Sequence, residues 1–155
     1  MKIVINECFG GFGLSREGVK LLAKKQGREC YFFGYARKAD GGVDLHAYGP
    51  DDQESMFFSA FDIPDPNEVL RAKPWHDMTM EEKSAHNALY DKHFLDTRPD
   101  DRTDPLLIEV VEELGEVANG SCAKLKVIEI PDGIDYEIEE YDGNESVHEV
   151  HRSWS

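Results

Sequence analysis

An α+β fold is the class this sequence predicts: a mixed, largely antiparallel sheet with helices packed on one side and a C-terminal β-meander. Three observations carry that expectation. The chain opens on consecutive β-branched residues, Ile3, Val4 and Ile5, which suit a strand covered on both faces. Strand-like and helix-like segments then follow in mixed order, with strands supplied by both ends of the chain. The last third reads as one strongly periodic helix followed by short strand-length runs between turn signals.

Taken in order, Ile3 to Ile5 end in the loop Phe9-Gly10-Gly11-Phe12-Gly13. Ser15 is the expected N-cap of the first helix, with Glu17 in its positive first turn, Val19, Leu22 and Ala23 facing inward, and Gly27 stopping it. Cys30 to Tyr35 reads as an aromatic-rich strand. Asp40-Gly41-Gly42 is a hairpin turn into Val43 to Tyr48, where Val43, Leu45 and Ala47 alternate with polar or aromatic neighbours. Residues from about 49 to 102 are less regular, broken by Pro50, Pro64, Pro66, Pro74 and Pro99, and read as an inserted segment of one domain spanning 1–155. Inside it, Thr79 and Glu82 have capping-box spacing for a helix reaching about Phe94, with Met80, Ala88, Leu89 and Phe94 as a modest apolar face.

Asp104 and Pro105 open a helix whose Leu107, Val110, Val111, Leu114 and Ala118 share one face, ended by Asn119-Gly120. Lys124 to Ile130 is then a strand. Tyr136 to Tyr141 and Ser146 to His151 form a further pair, joined around Asp142-Gly143-Asn144.

At 155 residues the chain can bury a real core, and its formal charge of −15 argues against direct nucleic-acid binding. An acidic chain can instead imitate nucleic acid. The stretch Arg16 to Lys38 reverses the balance, with seven basic residues against Glu17 and Glu29. The opposite extreme is Glu129 to Glu149, with nine acidic residues and no Lys or Arg. Cys8, Cys30 and Cys122 are odd in number and lack Cys-x-x-Cys spacing, which suits a reduced chain. No apolar run approaches the roughly 20 residues of a membrane span and no signal-peptide layout is present, so a soluble cytoplasmic protein is expected.

The glycine loop before a helix start is a candidate anion cradle, because free N–H groups at a helix N-terminus attract phosphate or carboxylate. On this reading Phe9, Gly10, Gly11, Phe12, Gly13 and Ser15 form the cradle, Arg16 and Arg102 neutralise the anion, and Phe9 or Phe12 covers a base. The spacing matches neither the dinucleotide fingerprint nor the P-loop, and a tight structural turn is the alternative. Arg102 can equally pair with Asp104 or another carboxylate. Cys8, ahead of the loop, reads as a small buried residue unless the helix N-terminus activates its thiol.

Glu109, Glu112, Glu113 and Glu116 resemble half of a magnesium carboxylate site, but no second acidic helix follows, so they read as a solvated face. His86, Tyr90 and His93 share one side of a helix, and His148 and His151 sit near Arg152 and Trp154. Neither group comes with a second set of ligands or a nucleophile, and no metal or cofactor is assigned.

The opening Lys2-Ile3-Val4-Ile5-Asn6-Glu7-Cys8-Phe9-Gly10-Gly11-Phe12-Gly13-Leu14-Ser15, the stretch Arg102 to Gly115 and the run Lys126 to Gly133 together resemble a group of small proteins from tailed bacteriophages and prophages. The resemblance covers both ends of the chain, skips the middle and brings no catalytic residue with it. It implies a virus-encoded protein in a bacterial cytoplasm that counters host defences by binding and not by catalysis.

The expected function is therefore sequestration of an anionic small molecule, such as a nucleotide immune signal, by a homo-oligomer that encloses the site between subunits. The alternative is an acidic protein–protein inhibitor of a host defence nuclease, acting through the C-terminal meander. A magnesium-dependent nucleotide hydrolase using Glu109 and Glu112 is a third reading.

Overall fold

The computed structural model describes residues 1–37, 43–48, 58–67 and 75–150. The fold is α+β, and every described strand pairing is antiparallel. Among the described residues the strands form three separate ladders instead of one continuous sheet. The chain divides into two compact units, one made of residues 1–26 with 97–155 and the other of residues 27–96.

The first unit is built on β1 (Lys2–Asn6), in which Ile3, Val4, Ile5 and Asn6 are all buried, as expected of a strand covered on both faces. Along one edge β1 pairs with β5 (Leu125–Glu129), with Val4 opposite Val127. The N–H groups of the other edge find partners outside any sheet: Val4 N donates to the Arg102 carbonyl at 2.9 Å and Asn6 N to the Glu145 carboxylate at 2.9 Å. Buried backbone amides left without partners would cost as much as a lost hydrogen bond, so these two contacts complete the strand.

Helix α1 (Arg16–Lys25) begins where the sequence places it. Ser15 Oγ accepts from Gly18 N at 3.0 Å, Glu17 and Lys24/Lys25 complement the helix dipole, and Gly27 follows the end at φ +72°. Val19, Leu22 and Ala23 are buried as expected. A second helix of this unit (Pro105–Leu114) has Asp104 as N-cap and Pro105 in its first turn, with Leu107, Val110 and Val111 buried. It packs against β1, β5 and α1, and a 3-10 turn, Gly115–Ala118, finishes it. Lys25 sits between Glu109 and Glu113 at 3.1 and 3.0 Å, and Lys2 meets Glu112 at 2.5 Å.

The C-terminal strands β6 (Tyr136–Tyr141) and β7 (Asn144–Glu149) make a hairpin with a two-residue turn. Asp142 and Gly143 both take positive φ, +51° and +87°, the conformation that matches a hairpin's right-handed twist. The expected extension to His151 lies outside the described residues. Packing of β7 against β1 joins the hairpin to the rest of its unit.

The second unit centres on β2 (Tyr31–Arg37), flanked by β3 (Val43–Ala47) and β4 (Ser59–Phe61). The expected turn at Asp40-Gly41-Gly42, and Pro50 and Pro74, lie outside the described residues. Phe33, Leu45 and Phe61 form its core, with Tyr31, Ile63, Tyr90 and Phe94 packed around them. Helix α2 (Met80–His93), which precedes the Pro105–Leu114 helix, here α3, carries the full capping box between Thr79 and Glu82. Its packing face is the expected one only at Phe94, with Tyr90 added. Met80, Ala88 and Leu89 are exposed, whereas Tyr90 and Phe94 stack on each other and set their edges on Phe61, at 5.5 and 5.7 Å between ring centres. A helix with so few aliphatic residues docks through its last aromatic turn instead of a continuous stripe.

Arg28 clamps this end of the helix, giving Asp62 two bonds of 3.0 and 2.9 Å and the Lys92 carbonyl one of 2.9 Å. His93 Nδ1 lies 2.8 Å from the other Asp62 oxygen.

Candidate functional site

The glycine loop is the place where the hairpin turn meets the rest of its own unit. Gly10 N donates to the Asp142 carbonyl at 3.1 Å, and Asn6 Nδ2 donates to the Gly143 carbonyl at 2.6 Å. Gly143 is packed so closely that a Cβ there would fall on the Gly11 amide nitrogen and 2.6 Å from that of Gly10. Gly10 and Gly11 take φ of +118° and +95°, so three glycines are required for two backbone segments to cross. A glycine-rich loop admits a ligand or another piece of main chain equally well. Here it admits main chain.

Asn6 is the hub beneath this crossing. It is fully buried, its amide group donates to the carbonyls of Cys8 at 2.7 Å and Gly143, and its Oδ1 accepts from Lys124 N at 2.7 Å. Both its N–H donors and its carbonyl oxygen serve backbone that β-pairing does not reach.

Glu145 is the second hub. Its carboxylate accepts from Asn6 N and from both terminal nitrogens of Arg102, the latter at 3.1 and 3.5 Å, with 7% of the Glu145 side chain and 16% of the Arg102 side chain exposed. The guanidinium of Arg102 in turn lies over the Phe12 ring, 3.4 Å from its centre.

Several positions of the expected anion cradle have partners within the fold. Phe12 is buried, with 5% exposure, and faces Arg102 instead of a base. Arg102 neutralises Glu145, which realises the ion-pair alternative with a partner other than Asp104. Gly13 uses its carbonyl to accept from Gly120 N at 2.8 Å. Ser15 caps α1, donates its hydroxyl to the Val117 carbonyl at 2.6 Å and gives its amide to Ala118. Leu14 N is bonded to the Thr97 carbonyl at 2.9 Å. Arg16 opens α1 half-buried, and of the proposed cradle only Phe9 presents a large exposed side chain, at 61%.

The other chemistry-bearing groups are also engaged locally. The acidic face of α3 holds lysines: Lys2 is raised above its ordinary pKa by Glu112, and Lys25 by Glu113 and Glu109. His93 belongs to the Asp62 and Arg28 clamp, His86 lies edge-on to Trp75, and His148 bonds Ser146 at 2.8 Å with Glu139 at 3.6 Å. His151, Arg152 and Trp154 lie outside the described residues. Among the described residues no three His, Cys, Asp or Glu side chains are grouped for a metal ion, and no disulfide joins the cysteines. No helix of the described residues is long and apolar enough to cross a membrane.

The C-terminal hairpin has one inward and one outward face, fixed by its register. Ile138, Val147 and Glu145 share the inward face, where Glu145 is buried. Glu137, Glu139, Tyr141, Ser146 and His148 share the other, and all five are exposed. Asp135, Glu140, Asp142 and Glu149 extend the exposed carboxylates along the same element. Sequence reasoning found this charge run but could not assign its faces, because a shift of one residue would have exchanged them. No protein family, curated protein or solved structure matches this chain.

Proposed function

We propose that the protein acts by binding, and that its acidic C-terminal hairpin occupies a basic surface on a partner protein. The observation that carries this reading is the outward face of β6 and β7, where Glu137 and Glu139 stand exposed in a stretch from Glu129 to Glu149 without a single Lys or Arg. Like charges this close repel one another in the free protein, and a basic partner relieves that repulsion while speeding encounter. In the phage setting that the resemblance implies, the partner is a host defence nuclease whose nucleic-acid channel the hairpin fills. The anion-capture reading loses ground because Phe12, Ser15 and Arg102 are engaged in the fold.

The test uses the full chain and the triple variant Glu137→Gln, Glu139→Gln and Glu149→Gln, in which Glu149 is an exposed carboxylate of the hairpin's other face. Proteins captured from a bacterial lysate on the full chain are purified and assayed for DNA and RNA binding with the chain as competitor. The expected outcome is a basic partner whose nucleic-acid binding is lost with equimolar chain, at an affinity that falls with salt and with the triple variant. Equal capture by the variant would sink the reading. Calorimetric heat from titration with a mono-, di- or cyclic nucleotide would replace it with anion capture.

A further inference from the structure

Two exposed aromatic rings stand at the crossing of the glycine loop and the hairpin turn. Phe9 is 61% and Tyr141 80% exposed. Each immediately precedes one of the two residues joined by the bond from Gly10 N to the Asp142 carbonyl. Backbone dimensions alone then keep their Cα atoms within about 12 Å of each other. Neither ring fills the core, and each sits beside backbone held at the crossing: Gly10 and Gly143 pack against one another and Asn6 donates to the Gly143 carbonyl at 2.6 Å.

We infer that Phe9 and Tyr141 are the anchoring pair of the partner surface, and that they receive arginine side chains of the partner. This inference rests on the acidic-hairpin reading and adds the chemistry that the carboxylates alone lack. Carboxylates attract Lys and Arg alike, whereas a planar guanidinium also stacks on an aromatic face and is more weakly hydrated than an ammonium. Tyr141 shares its strand face with Glu137 and Glu139, and Asp142 follows it in the turn, so a guanidinium over this ring lies within an acidic surround. Rigid aromatic side chains ringed by polar groups are also the residues that dominate binding energy at protein interfaces. The occupant is thus an arginine-rich protein face.

The experiment measures binding of two fluorescent 20-residue peptides, one with arginine as its only charged residue and one with lysine at the same positions, by anisotropy at low and moderate salt. The full chain is compared with the double variant Phe9→Ala, Tyr141→Ala, with Phe9→Tyr, Tyr141→Phe, and with the triple Gln variant. The expected result is tighter binding of the arginine peptide, a loss of about tenfold in that affinity with the double Ala variant, and a lysine affinity that barely moves. The ring-preserving variant keeps the preference, and the triple Gln variant weakens both peptides. An arginine preference that survives in the double Ala variant overturns the anchor while leaving the acidic reading intact. Absence of binding to either peptide overturns both. Both altered positions are exposed, and thermal unfolding of each variant confirms its fold.

Discussion

The carboxylate of Glu145 meets the guanidinium of Arg102 at 3.1 Å across 43 residues of chain, with both side chains largely withdrawn from water. Breaking such a pair from one side leaves the other charge buried without a partner, and here also orphans the Asn6 amide. Glu145→Ala is expected to cost about 3 kcal/mol in urea unfolding. The double change Arg102→Met, Glu145→Leu should cost clearly less than the sum of its single changes. Additive losses would show that the two side chains act independently.

Gly143 and Gly27 both have positive φ, but only Gly143 faces another backbone. Gly27→Ala should cost about 1 kcal/mol from conformation alone. Gly143→Ala adds overlap with Gly10 and Gly11 and should lose about 1–3 kcal/mol more. Equal losses in urea unfolding would mean that the crossing yields without resistance.

Asn6→Asp keeps the shape of the hub but replaces a donor by an acceptor facing the carbonyls of Cys8 and Gly143. About 3 kcal/mol of destabilisation is expected near neutral pH, from two orphaned acceptors and a buried charge. Burial raises the folded-state pKa of the introduced carboxyl above its unfolded value, so protonation favours the folded form. The deficit relative to the native chain should therefore shrink as pH falls, read from paired urea titrations. A deficit that grows in acid would contradict this account of the hub.

Burial would push the Asp62 carboxyl up, but hydrogen bonds from His93 and Arg28, together with their charges, outweigh it and hold the carboxyl below its ordinary range. A folded-state pKa that is depressed contributes stability above the unfolded value, and that contribution disappears as pH falls through the folded one. Its window therefore lies below about pH 4. Asp62→Asn should flatten the acid side of the stability profile, measured as urea midpoint against pH. An unchanged slope there would remove Asp62 from the acid response.

The parts of the fold legible in the sequence are those written in local chemistry. Ser15, Thr79 with Glu82, and Asp104 with Pro105 each announced a helix start, and the Asp142-Gly143 turn announced its hairpin. These signals act within four residues, so no knowledge of the distant chain is needed. The three ladders, and the division at residues 26/27 and 96/97, were not legible, because they depend on which strands meet. The loop at Gly10 and Gly11 shows the limit most clearly. Glycine signals that something comes close, and only the fold shows that Gly143 leaves room for the Gly10 and Gly11 amides while Gly10 leaves room for Cys122. Asn6 and Glu145 went unnoticed for a related reason: one sits in an apolar strand and the other in an acidic run, and neither neighbourhood hints at the partner it finds.

The pairing of Val4 with Val127 also sets a schedule for synthesis. At about 5–20 residues per second, a ribosome needs roughly 6–25 s between making the first strand and its mate, and meanwhile Ile3, Val4 and Ile5 stay uncovered on the nascent chain. Residues 27–96 emerge complete well before that. Nascent chains stalled after residue 120 should therefore be cut readily by protease near the amino end, and release of the full chain should bring protection. A strand made long before its mate is among the last to find shelter.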